Sequence, residues 1–255
     1  MQSEVKILSY NILEGLQHSH IQIDVFVDWV SAVDPDIAFY QELNGFTEEE
    51  FAALARRCGH PYSVKIKEDG YRMGISAKAQ LTEVTRVTEG LRLGYIYARA
   101  LDYHLFAIHF DPFKEEDRLR ELEIVLAHAR KLPADAKIMI VGDFNSLARS
   151  DAEAYSDPQF AVDTLWFTKD AQLAFSVTDT LLESGFSDAY KLCHSEFKRS
   201  LPTAKRVYQG DRGRRIDYAF LSPSLKDKCA SAEIIHDPIT RFLSDHYPLV
   251  FTLRH

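Results

Sequence analysis

Ile138-Met139-Ile140-Val141-Gly142-Asp143-Phe144-Asn145 is the stretch from which the fold of this chain is read. Four successive apolar residues form a run of strand length, too short for a buried helix, and the run empties into Gly142-Asp143-Phe144-Asn145. The same arrangement recurs along the chain, with an apolar run closing on a residue able to bind metal or phosphate. It occurs at Asn11, at Glu42, at His109, at Asp143 with Asn145, at Asp217, and at Asp245 with His246. Strands pack in their middles, so their ends are where a rigid scaffold points polar side chains into one cleft.

Working outward, the elements alternate. Val5 to Asn11 reads as a strand, and Ile21 to Val33 carries Ile23, Phe26, Val27, Val30 and Val33 at close to helical spacing. Asp34-Pro35-Asp36 stops that helix, because the residue before a proline is pushed out of the α region. Ile37 to Tyr40 is a strand running into Gln41-Glu42. Thr47 with Glu50 three residues on is a capping box, and the helix it opens runs to Gly59. From Tyr62 to Phe110 the pattern is strand-rich. Glu115 to Leu132 is a helix closed by Pro133, and Thr178 to Glu183 is a short one. Arg215 to Leu221 and Leu249 to Leu253 are strands. Residues 146–180 lack a period and are read as a surface excursion. Strands in both halves with helices between them imply two packed sheets covered on their outer faces, and with no repeat or linker residues 1–255 are read as one domain.

Composition narrows the function. At 46% hydrophobic and 27% charged residues, the 255-residue chain is neither disordered nor fibrous. No apolar run approaches the roughly 18 residues of a membrane helix, so no stable membrane insertion is expected. A net charge of -8 argues against holding nucleic acid by bulk positive charge, and leaves open a hydrolase that meets phosphate through metal ions and a local basic patch. Cys58, Cys193 and Cys229 are odd in number and far apart, which argues against a disulfide framework. With no secretory leader in Met1-Gln2-Ser3-Glu4, the expectation is a reducing, cytoplasmic setting. No protein partner is inferable.

The strand-end residues suit one chemistry. Carboxylates bind Mg²⁺ while leaving sites for water and phosphate oxygen. Asparagine amides donate to phosphate without adding negative charge. Histidine moves protons near neutral pH, or neutralises phosphate when charged. Together they fit attack of water on a phosphate ester. Taken singly, each residue reads equally as a turn, a cap or a packed histidine; the ordered set is what carries the inference. The chain has no Gly-x-Ser-x-Gly elbow, no cysteine beside a base and no Gly-x-x-x-x-Gly-Lys loop.

Ser9-Tyr10-Asn11-Ile12, Gln41-Glu42-Leu43, Ile108-His109, Gly142-Asp143-Phe144-Asn145-Ser146, Arg215-Ile216-Asp217-Tyr218 and Ser244-Asp245-His246-Tyr247-Pro248 occur in this order. Together they resemble the deoxyribonuclease I-like endonuclease/exonuclease/phosphatase superfamily over nearly the whole chain. The resemblance implies an α/β four-layer sandwich, two face-to-face mixed β-sheets flanked by helices. It implies that Asn11, Glu42 and Asp245 bind Mg²⁺, with Mn²⁺ as a substitute. It implies that Asp143 activates the attacking water or protonates the leaving oxygen, and that Asn145 holds the phosphate. His246 would be general base or charged phosphate ligand, Asp217 would fix its tautomer, and His109 would contact the phosphate.

Departures from the family narrow the branch. Tyr10-Asn11, Gln41-Glu42-Leu43-Asn44 and His109 differ from the apurinic endonuclease pattern, and Gly-Asp-Phe-Asn-Ser-Leu differs from that of the inositol phosphatases. Ala107 stands where an Asn or Thr is common. Lys198, Arg199, Lys205, Arg206, Arg212, Arg214 and Arg215 face the single acid Asp211 in a basic run entering Asp217. Arg212, Arg214 and Arg215 are the expected substrate clamp, against the plain alternative of a solvated loop. The expectation is a Mg²⁺-dependent phosphodiester hydrolase, nuclease-like, acting on a phosphate ester such as nucleic acid. A phosphomonoesterase for a sugar or inositol phosphate, and a catalytically weak phosphate-binding module, are the alternatives.

Overall fold

The computed structural model describes residues 4–67, 70–156, 168–169, 172–206 and 213–254. In chain order the strands are β1 (Glu4–Asn11), β2 (Ile37–Gln41), β3 (Tyr62–Lys65), β4 (Met73–Ala77), β5 (Thr82–Val87), β6 (Tyr95–Ala100) and β7 (Tyr103–His109). They continue with β8 (Lys137–Asp143), β9 (Thr168–Lys169), β10 (Gln172–Leu173), β11 (Ser187–Asp188), β12 (Asp217–Leu221), β13 (Cys229–Ile234) and β14 (Leu249–Arg254). One sheet has the order β13-β14-β1-β2-β4-β3 and the other β11-β12-β8-β7-β6-β5. Each is mixed: β1 and β2 run parallel, as do β7 and β8, while their other neighbours are antiparallel.

The period-2 alternation of strand side chains sorts residues into layers. On β1, Val5 and Ile7 join the core between the sheets, whereas Leu8 and Tyr10 pack on the outer face. On β8, Met139 and Val141 point between the sheets and Ile138 and Ile140 point outward. The helices α1 (Leu13–Leu16), α2 (His20–Val33), α3 (Glu48–Arg57) and α4 (Glu115–Ala129) follow the chain. Phe26 and Val30 of α2, with Phe51 and Leu54 of α3, cover the first sheet. Leu122 and Val125 of α4, with Val177 and Leu181 of the helix Ser176–Glu183, cover the second. The result is the four-layer sandwich expected. Each large apolar side chain so buried contributes about 1.5–3 kcal/mol, which holds the strand ends rigid.

The local signals act as read. Ser19 caps α2, Asp34 leaves it at φ 52°, and Pro35 follows. Thr47 and Glu50 form the reciprocal capping box of α3, at 3.1 and 2.8 Å. α4 ends at Ala129, about one turn before Pro133. The excursion over 146–180 is corrected in part. Arg149–Tyr155 is a 3₁₀ helix whose Tyr155 joins Leu147 and Ile216 in a buried cluster. No described helix is long and apolar enough to cross a membrane.

His60 lies fully buried where β2 begins and β4 ends, its ring atoms 2.6 Å from Ser76 Oγ and 2.8 Å from Pro35 O. The carbonyl requires Nε2–H, and with burial favouring the neutral ring Nδ1 accepts from the serine. Burial lowers its pKa below 6.5. The unfolded chain therefore binds the extra proton first, and the stability His60 contributes is present above the ordinary histidine value and lost as pH falls through the folded one. Denaturant midpoints measured from pH 7.5 downward should fall, and His60→Gln should flatten the fall. An unchanged pH profile in the variant would contradict this.

Candidate active site

Asn11, Gln41, His109, Asp143 and Asp217 share one geometrical property. Each sits an even number of residues from a side chain of the inter-sheet core: Phe39, Ala107, Val141 and Ala219 lie two residues from the last four, and Ile7 lies four residues before Asn11. Parity therefore turns all five into the slot between the sheets, at the same end. Register completes the arrangement. Asp143 is directly opposite both His109 and Asp217, and Asn11 is opposite Gln41. Gly142 is required there, because at φ 146° a Cβ would lie 2.0 Å from Ile108 O.

Asn11 joins the two sheets. Its Nδ2 donates to Glu42 Oε1 and to Asp143 Oδ2, each at 3.2 Å, while its Oδ1 accepts from the Leu13 amide. Asn11 thus places its side chain among the acids of the site: its oxygen accepts one backbone amide and keeps a second lone pair, and its amide steers two carboxylates. Glu42, at φ 61°, ends β2 and accepts the Glu14 amide on Oε2. That amide is delivered by a left-handed turn in which Leu13 to His18 all have positive φ. Such residues cost about 1–2 kcal/mol each when they carry a Cβ, and strain of this kind persists only where the surroundings over-determine it. Gly15 relieves one position, where a Cβ would meet Asn44 O at 2.3 Å.

His246 Nδ1 lies 2.8 Å from Asp217 Oδ2, and its Nε2 is 3.9 Å from Asp143 Oδ2. Burial works against the imidazolium, but Asp217, Asp143 and Asp245 outweigh it and raise the pKa to about 10. His246 is therefore a cation at neutral pH. Asp143 is the converse case. Burial and the charge of Asp217 raise its pKa to about 7, against the lowering by His246 and by the Asn145 amide, which donates to Oδ1 at 2.9 Å. His109 Nε2 is 3.6 Å from Asp143 Oδ2, and burial drops this imidazole to about 4, so it is neutral. Asn145 Nδ2 donates to Phe110 O, which leaves its second amide hydrogen for another acceptor.

Asp143, Asp217 and His246 bring ligand atoms within 4.8 Å of one another. This trio is the acid–imidazole cluster among the described residues, beside the expected metal ligands Asn11, Glu42 and Asp245. The reason is cross-strand: Asp143 and Asp217 are register partners, whereas Asp245 sits on the loop before β14, with Arg206 Nη1 3.7 Å from its Oδ2. Gln41 Nε2 and Oε1, His109 Nδ1, Asp217 Oδ1 and Asp245 Oδ1 are buried with no hydrogen-bond partner among the described residues. Unsatisfied buried polar atoms clustered at one end of a slot are groups waiting for a ligand.

The basic run divides. Arg212 lies outside the described residues. Arg214 is half-buried, its backbone bridged to Leu201. Arg215 is a correction to the expected clamp: it is fully buried, with Nε on Asp151 at 2.7 Å and Nη1 on Asp188 at 2.6 Å. Those partners consume its fork, so it holds the base of the site and touches no solvent. Three supporting residues escaped the sequence reading. Ser244 Oγ donates to Asn11 O at 2.6 Å and accepts from the His246 amide, tying β1 to the histidine. Ser200 Oγ accepts from the Asp217 amide. Gln41 was quoted with Glu42 but given no role. Ser244 had a signal, as the first residue of Ser-Asp-His; Ser200 had none.

Comparison with known proteins agrees with this fold. The profile of the Endonuclease/Exonuclease/phosphatase family matches residues 8–246. No curated protein matches. Among solved structures, an AP endonuclease from Archaeoglobus fulgidus superposes with TM-score 0.75 at 20% identity, covering 98% of this chain and 99% of that one. The 3' phosphatase NExo from Neisseria, bound to product DNA hairpin, gives 0.75 at 20% identity over 98% and 100%. TDP2 from D. rerio, complexed with single-strand DNA product, gives 0.72 at 17% identity over the full length of both. At these identities the superpositions establish the fold.

Proposed function

The chain belongs to the Endonuclease/Exonuclease/phosphatase family of phosphoester hydrolases, and on that premise we propose that it is a divalent-metal-dependent phosphodiesterase acting on nucleic acid. The observation that carries this reading is the buried Asp217–His246–Asp143 array, an imidazole set between two carboxylates.

The donor set fits a hard cation. Asp217 Oδ1 and Asp245 Oδ1 are buried without partners, and Asp143 is raised to about 7 by burial among like charges. Glu42 and Asp245 would hold the ion, for which Mg²⁺ is the natural choice and Mn²⁺ the substitute. Bound there, it would supply positive charge to the phosphate oxygens. Asp143, poised near neutrality, accepts a proton from the attacking water, held in place by the Asn145 and Asn11 amides. His246 presents a cationic Nε2–H to the phosphate and carries the proton that the leaving alkoxide takes. Asp217 keeps that proton count by accepting Nδ1–H. His109, neutral and with Nδ1 unpartnered, hydrogen-bonds a phosphate oxygen. Three structurally similar proteins whose descriptions are an AP endonuclease, a DNA-bound 3' phosphatase and a DNA-product complex support nucleic acid as the substrate class.

A panel of phosphate esters tests the reading. Single- and double-stranded DNA should release nucleotides with Mg²⁺ and not with EDTA. Orthophosphate from a small monoester, with no DNA cleavage, would favour a phosphomonoesterase. Glu42→Gln should raise the Mg²⁺ concentration needed for half-maximal rate by at least the roughly 10- to 100-fold that loss of a supporting group costs a metal site. An unchanged Mg²⁺ requirement would remove Glu42 from the metal.

A further inference from the structure

Beside the site, a groove of about 640 Å³ runs between the segment Arg199–Ala204 and the segment His236–Phe242, with Tyr247 at its floor. Its size suits a nucleotide, since small-ligand sites occupy about 300–1,000 Å³. It is built onto the reaction loop itself. Tyr247 follows His246, and Thr203 ties the first segment to that loop, its amide donating to Asp245 O at 3.0 Å and its hydroxyl to Ser244 O, while His236 Nε2 lies 2.8 Å from Arg199 O across the two segments.

The lining combines rings with cations. Phe242 is 58% exposed, unusual for a phenylalanine in a chain whose aromatic side chains are mostly buried. The Arg241 guanidinium lies 5.6 Å from the Phe242 centroid. His236 stacks on Tyr247 with centroids 3.8 Å apart. Arg199 and Arg241 have no carboxylate within ion-pair distance among the described residues, and Arg199 Nε is buried without a partner. Asp237, its carboxylate bonded to Trp29 Nε1 and to the amides of Ile239 and Thr240, offsets only one of the two. In a protein of net charge -8, this is a locally positive, ring-bearing groove.

We propose that this groove binds the nucleotide adjoining the scissile phosphate of a single-stranded nucleic acid, its base stacked on Phe242 and its phosphate held by Arg241 and Arg199. The inference rests on the nucleic-acid reading above and deepens it. A single strand is specified because an open ring face stacks on a base that has left its own helical stack. The cations supply the attraction of the backbone, which the acidic remainder of the surface cannot.

Fluorescence anisotropy of a labelled single-stranded oligonucleotide, with EDTA present to prevent cleavage, tests it. Phe242→Ala should weaken binding roughly 5- to 150-fold, the range of losing one base–aromatic stack, and Phe242→Trp should restore it. Arg241→Ala should weaken binding and lower the slope of log affinity on log salt by about 0.7. Thermal midpoints of both variants report that the fold is kept, which the exposure of the side chains leads one to expect. Wild-type affinity in Phe242→Ala, with the wild-type enzyme cleaving oligonucleotides, overturns the groove and leaves the function standing. Tighter binding of duplex than of single strand overturns the stacking assignment. A wild-type chain that neither binds nor cleaves any oligonucleotide overturns the nucleic-acid reading, and the groove falls with it.

Discussion

His246→Ala is expected to reduce turnover of a phosphodiester about 1,000-fold or more. A positioned acid or base contributes roughly 100- to 10,000-fold by itself, and a preorganised charge at the developing transition state adds several kcal/mol. Both are lost together here. His246 is held as a cation by Asp217 at 2.8 Å, and Asp143 lies 3.9 Å from its other nitrogen. Without the imidazolium, Asp143 and Asp217 face each other as register partners across β8 and β12 with no cation between them. Asp143 would then keep its proton to higher pH and serve less well as a base. The substituted side chain is only 5% exposed, so circular dichroism and a thermal scan should accompany the kinetics. A folded variant with near-normal turnover would remove His246 from the reaction.

Arg215→Ala is expected to be the most destabilising single change at the site, although it alters no group that faces substrate. The guanidinium is fully buried beneath the site, bonded to Asp151 and Asp188, with the Tyr218 ring 4.5 Å and the Tyr190 ring 5.3 Å away. Burial opposes its charge; Asp188, Tyr218 and Asp151 more than offset that. Truncation would leave two carboxylates buried, one of them retaining only Lys191 at 2.8 Å. Removing one partner of a buried ion pair costs about 3–5 kcal/mol. At about 2–4 °C per kcal/mol for a chain of this size, the thermal midpoint should fall by about 6–20 °C. A shift of a degree or less would show the network to be dispensable. Arg215→Lys should recover little, because an ammonium cannot bond both acids as the fork does.

The two arginine readings show where sequence reasoning reaches and where it stops. The polar ends of β1, β7, β8 and β12 were legible as strand ends facing one slot because local alternation carries the information. The parity that sends Val141 or Ala107 into the core sends Asp143 or His109 into the same slot. Arg215 was not legible: its acids lie 64 and 27 residues away, and nothing local distinguishes it from its neighbour Arg214. A run of basic residues looks the same whether it faces solvent or pairs internally. β13 was missed for another reason. It is an edge strand of small and polar residues, with a bulge between Cys229 and Ser231 that breaks the alternation a reader relies on. The left-handed turn after Asn11 left no trace beyond Gly15, since Leu13, Glu14, Leu16 and Gln17 carry no preference for positive φ.

The central claim is that side chains from six separated segments act as one hydrolytic centre. Turnover of a single-stranded oligonucleotide in Mg²⁺ by the wild type, Asp217→Asn, His246→Ala and the double variant tests it most directly. Residues that act as a unit are strongly non-additive. The double variant should therefore be scarcely slower than His246→Ala alone. Losses that multiply, or a wild-type chain that releases no product, would show that Asp217 and His246 do not share one reaction.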